Sequence, residues 1–89
     1  MAPLSPKAEL IKLEYSLSLS QRTSEGLLKY KKKTQCDVKK ILWECGLQIR
    51  LIDDFTQTEA FNCLGNDQRY LLNQQQMNAE NIYHELSQK

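Results

Sequence analysis

The sequence predicts an all-α fold, either a helical hairpin or a three-helix bundle with coiled-coil-like stripes. Three observations carry this. No proline occurs after Pro6, so no residue removes a helical N–H or clashes with the preceding turn. Only three glycines, Gly26, Gly46 and Gly65, interrupt the rest of the chain. Apolar residues recur at three- and four-residue steps for much of its length. The expected helices cover about 5–33, 35–64 and 67–87, preceded by a disordered N-terminus at 1–4, and the first two can run on as one.

Ser5-Pro6 opens the first helix. Serine can cap the free N–H groups, and proline suits the first helical position, where no donor is needed. Ser5-Pro6 is also a candidate proline-directed phosphorylation site, although capping accounts for it equally well. Glu9 then lies near the positive end of the helix dipole. A heptad-like stripe follows through Leu10, Leu13, Leu17, Ser20, Ser24 and Leu27, with the serines as its weak patch. Leu13, Tyr15, Leu17 and Leu19 also alternate with polar residues, which is strand periodicity. Helix is preferred because 8–14 is rich in helix formers and no turn signal brackets a strand.

Residues 20–26 are the least apolar stretch before Gly65 and can hold a loop or kink. A second break can lie at Thr34, where a cap-competent residue precedes Asp37. From Val38 to Phe55 the pattern is strongest. Val38, Ile41, Leu42, Cys45, Ile49, Ile52 and Phe55 share one helical face, and Trp43, Leu47 and Leu51 form a second stripe beside it. So wide an apolar surface implies contact with more than one helix. Leu47, Ile49 and Leu51 alternate with Gln48 and Arg50 as a short strand would, but the flanks are helical in pattern.

Leu64-Gly65-Asn66-Asp67 is the clearest punctuation. Glycine can take the left-handed cap conformation, and Asn66 or Asp67 can cap the next helix, giving a tight turn between antiparallel helices. The last helix, about 68–87, carries Leu72, Gln76, Ala79, Tyr83 and Leu86 at heptad steps. Helix lengths frame the choice of architecture. A single helix over 6–64 would be roughly 88 Å long against roughly 30 Å for the last, leaving a stripe that only another chain could cover. A break near Thr34 gives three comparable helices that can close on themselves.

A chain of 89 residues is at most one domain and buries a modest share of its surface, so partners are a common remedy. Aromatic content of 8% leaves few bulky side chains for a self-sufficient core. The net charge of +1 demands neither nucleic acid nor membrane. No window approaches the roughly 18 apolar residues of a transmembrane span. The N-terminus lacks a signal-type apolar run, and the three cysteines are an odd number. Reduced thiols in an intracellular, cytoplasmic or nuclear protein are therefore expected.

Cys36, Cys45 and Cys63 form no C-x-x-C pair, and His84 is the only histidine, so neither a zinc set nor a Cys–His nucleophile is expected. His84 reads as an exposed or interface histidine. Asp53 and Asp54 are adjacent, which on a helix points them about 100° apart instead of into one acid–base pocket. No catalytic residue, cofactor or metal is expected. Arg22, Lys29, Lys31, Lys32, Lys33, Lys39 and Lys40 make a basic segment, either a solvated helix face or an anion-binding surface. Trp43 reads equally well as a docking residue or as packing inside the hairpin.

The expected function is a non-catalytic helical subunit or adaptor. It would assemble with a protein partner, or with itself as an oligomer, through coiled-coil or bundle packing. Leu10, Leu13, Leu17, Leu27, Ile41, Trp43, Leu47, Leu51 and Phe55 are the candidate partner-binding residues. The alternative is a small basic helical protein binding nucleic acid or an anionic surface through residues 22–40, although no zinc-finger, RNP or glycine-loop motif supports it.

Overall fold

The computed structural model describes residues 5–88, which form four helices and no strand: α1 (Pro6–Leu28), α2 (Gln35–Thr56), α3 (Glu59–Asn62) and α4 (Asn66–Ser87). The expected disordered residues 1–4 lie outside the described residues. Both segments with strand-like alternation are helical; in the first, Leu13 and Leu17 are buried while Tyr15 and Leu19 stay exposed.

Ser5 caps α1, its hydroxyl oxygen accepting from the Ala8 N–H at 3.2 Å, and Pro6 takes the first turn. The helix stops at Leu28, short of the expected residue 33. Residues 29–34 form the loop to α2, so the lysine run encircles no helix and the two helices are separate. The physical reason lies at Thr34. Its hydroxyl accepts from the Asp37 N–H at 3.0 Å, and the Asp37 carboxylate accepts from the Thr34 N–H at 3.0 Å. This reciprocal capping box starts a new helix. Lys33 Nζ donates to the Tyr30 carbonyl at 2.8 Å within the loop. Folding back at this point buries both apolar stripes against each other, which a continuous rod could not do. Thr34→Ala is expected to cost about 1 kcal/mol and to lower the melting temperature by about 4–8 °C, read by circular dichroism at 222 nm.

Helix α2 ends at Thr56 instead of running to 64. Two threonine hydroxyls donate to carbonyls three residues back, Thr56 to Asp53 and Thr58 to Phe55, each at 2.7 Å. Such bonds compete with helix propagation. The short α3 then turns across the end of the bundle and inserts Ala60 into the core. Arg69 ties the start of α4 to it. The guanidinium lies 5.4 Å from the centre of the Phe61 ring and donates to the Asn62 carbonyl at 2.8 Å. Gly65 does not adopt the left-handed conformation expected of it. With φ −72° and ψ 165° it is the N-cap of α4, and Asn66 is already helical. Asp67 stands in the first turn, favourably placed on the dipole.

Helix α2 is the centre of the fold, with α1 and α4 packed antiparallel against it. At one end Leu13, Leu17, Ile52, Phe55, Ala60 and Leu72 form a buried cluster in which Phe55 and Phe61 meet edge to face at 6.3 Å. At the other, Ile41, Cys45 and Ala79 are buried beneath Leu27, Leu28, Ile49, Ile82 and Leu86. Between α1 and α2 lies a polar layer of Ser20, Ser24, Glu44 and Gln48, all buried. Gln48 Nε2 donates to Ser20 Oγ at 3.0 Å and to Ser24 Oγ at 3.3 Å. The Ser20 hydroxyl has two acceptors at 3.1 Å, the Glu44 carboxylate and the Glu44 carbonyl. Ser24 donates to the Gln21 carbonyl at 3.1 Å. On the α4 side, Gln76 Nε2 donates to the Ile49 carbonyl at 3.2 Å, and Gln21 donates to Gln75 across the bundle at 2.8 Å. The serines that weaken the sequence stripe are therefore the partners that make Glu44 and Gln48 tolerable inside.

Candidate protein-docking face

The nine residues selected from the sequence for partner binding fall into two groups. Leu13, Leu17, Ile41 and Phe55 are buried in the chain's own core, and Leu10, Leu27 and Leu51 pack against that core half-buried. These side chains hold the three long helices together. Trp43 and Leu47 lie elsewhere. Trp43 stands 68% exposed on the outer surface of α2, beside its seam with α4, so it does not pack inside the hairpin. Leu47 is half-buried one turn further along.

The local sequence explains this placement. Trp43 lies about 200° around the helix from the fully buried Ile41, at about 100° per residue. Gly46 leaves the surface beside Trp43 bare of side chain, and a methyl group there would lie 4.0 Å from the Tyr83 ring of α4. The result is a groove of about 410 Å³ between Trp43, Leu47 and Tyr83, with Lys39 and Arg50 on its rim. Sequence reasoning missed Gly46 and Tyr83 as parts of one site. Their proximity depends on how α4 lies on α2, and no local pattern encodes that. It also missed a second exposed apolar stripe, Ile11, Tyr15 and Leu19 on the outer side of α1. Spacing of i, i+4 and i+8 was the available signal, hidden by the alternation of Tyr15 and Leu19 with Leu13 and Leu17.

Of the candidate anion-binding residues, Lys29, Lys31, Lys32 and Lys33 are on the loop between α1 and α2, Lys39 and Lys40 follow on α2, and Arg22 is on α1. All except Lys33, which is half-buried, are exposed. Asp53, Asp54 and His84 are exposed on helix surfaces. Among the described residues no three His, Cys, Asp or Glu side chains are grouped as a metal set. None of their helices is long and apolar enough to cross a membrane.

The three cysteines are free, Cys36 and Cys63 exposed and Cys45 buried. Burial pushes the Cys45 thiol above its ordinary value of 9.0, and the neighbouring Glu44 carboxylate pushes it the same way. The unfolded chain therefore releases this proton first, so stability should fall as pH rises past 9.0 and through the raised folded value. In the folded chain a thiol-specific disulfide reagent should modify Cys36 and Cys63 rapidly and Cys45 only on unfolding. Rapid modification of Cys45 under native conditions would contradict this packing.

No protein-family model, curated protein or solved structure matches the chain.

Proposed function

We propose that this chain is a non-catalytic helical module that assembles with another protein through the outer face of α2, centred on Trp43. The observation that carries the reading is the 68% exposure of the only tryptophan, on the helix whose inward face already packs against α1 and α4. Tryptophan is among the residues most often responsible for binding energy at interfaces, because its ring removes a large apolar area from water at little entropic cost. Leu47 and Tyr83 extend the same apolar surface. The free thiols suit a reducing intracellular compartment.

A second reading rests on the lysine-rich loop at 29–33, which projects four cations between two helices. It makes the chain a binder of nucleic acid or another anionic surface through residues 22–40. Affinity would then fall steeply with salt, and reversing Lys31, Lys32 and Lys33 to glutamate would remove it.

Light scattering across a concentration series, with circular dichroism on the same samples, tests the first reading for a self-assembling form. Mass growth that is lost on substitution of Trp43 would identify a homo-oligomer. A helical monomer would exclude self-assembly and leave a different protein as the occupant to be tested. Mass growth indifferent to Trp43 would place self-assembly on another surface and count against the reading.

A further inference from the structure

We propose that the seam between α2 and α4 takes an acidic amphipathic helix of a partner protein. The proposal rests on the docking reading above and adds the chemistry of the occupant. The groove at Trp43 does not stand alone. A second depression of about 590 Å³ shares Lys39 with it and continues along the same seam toward the loop. Together they contain four cations, Lys31, Lys33, Lys39 and Arg50, and no aspartate or glutamate. The whole chain is nearly neutral, with 12 basic and 11 acidic residues, so this is local segregation of charge and not bulk basicity.

Aliphatic and aromatic groups lie between the cations. Val38 and Leu86 serve one depression, Leu42, Leu47, Trp43 and Tyr83 the other. An apolar strip bordered by positive charge complements a helix with one apolar face and carboxylates beside it, the arrangement of helix-in-groove recognition. Length sets the size of the occupant. From Gln35 to Arg50, α2 rises about 24 Å, which about sixteen helical residues would match. Nucleic acid fits less well. Bases stack on aromatic faces, but most apolar groups here are aliphatic, and a net charge of +1 supplies little long-range attraction for a polyanion.

The test selects binders from a displayed library of random peptides of about sixteen residues, using the full chain as bait at about 0.15 M salt. Enriched peptides should carry net negative charge and apolar residues at i, i+3 or i+4, and i+7. A synthetic copy should shift the Trp43 emission to the blue. Trp43→Ala, and separately Lys39→Glu with Arg50→Glu, should each weaken it at least about tenfold. The charge-reversed pair should gain affinity for a copy with lysine in place of each acid. Trp43, Lys39 and Arg50 are all exposed, so the variants should keep the wild-type circular dichroism spectrum. Enriched peptides that are neutral or basic but still depend on Trp43 would overturn the acidic occupant and leave the docking face standing. Failure to enrich any Trp43-dependent peptide would overturn both. Binding of labelled poly(U) RNA that is lost in the Lys39→Glu, Arg50→Glu pair would give the seam to nucleic acid and overturn the proposal.

Discussion

Replacing Trp43 and Leu47 together by aspartate is expected to abolish any association made through the proposed docking face while part of the helical signal survives. Trp43 contributes little to the chain's own packing, since it is 68% exposed, and Leu47 is only half-buried. Two carboxylates would instead be desolvated in any complex that uses this face, and a buried charge without a partner is strongly unfavourable. Loss of a tryptophan hot spot alone is worth about 2 kcal/mol or more, about thirtyfold in affinity. The measurement is affinity by calorimetry or, for self-association, mass by light scattering. Unchanged association would move the interface to another surface, of which the Ile11, Tyr15 and Leu19 stripe on α1 is the first to test.

The opposite pattern is expected at Ile52, which is fully buried in the cluster joining α1, α2, α3 and α4. Ile52→Ala should cost about 2–5 kcal/mol, through lost burial and the cavity left behind. A domain of this size has a total stability of roughly 4–13 kcal/mol, so the variant should be partly unfolded at room temperature if the parent lies at the low end. A urea titration followed by circular dichroism reads the change directly. Trp43→Ala in the same assay should move stability by no more than about 0.5 kcal/mol, as surface substitutions do. Equal costs at the two positions would mean that the helices do not pack as described.

These two residues also show what was legible in the sequence. The stripe through Leu10, Leu13, Leu17, Ser20, Ser24 and Leu27 and the face from Val38 to Phe55 depend only on helical period and were visible as stripes. That Leu13, Leu17, Ile41 and Phe55 bury against the chain's own helices and not against a partner was not visible. The caps at Ser5 and Thr34 are local chemistry and were equally visible. Less visible was the end of α2, where Thr56 and Thr58 turn the chain although neither is a strong breaker. Gly65 misled because glycine serves both ends of helices, and only the position of the preceding short helix decides which. At the candidate site, Trp43 and Leu47 formed a recognisable pair. The groove beside them required Tyr83, 40 residues away, and a bare position at Gly46 whose effect exists only once α4 is in place.

The polar layer between α1 and α2 bears on alignment. Purely apolar stripes allow two helices to slide by a heptad at little cost, since leucine meets leucine again. Here a slip in one direction would set Glu44 and Gln48 against Leu17 and Leu13, burying a carboxylate and an amide with nothing to bond. A slip in the other would carry Ser20 toward Phe55 and Ser24 toward Leu51. Each misalignment forfeits the bonds among Ser20, Ser24, Glu44 and Gln48 and desolvates the groups that made them. The layer thus works as a key between two otherwise interchangeable surfaces. By fixing where α1 stops along α2, it also fixes where the loop lysines stand relative to Trp43.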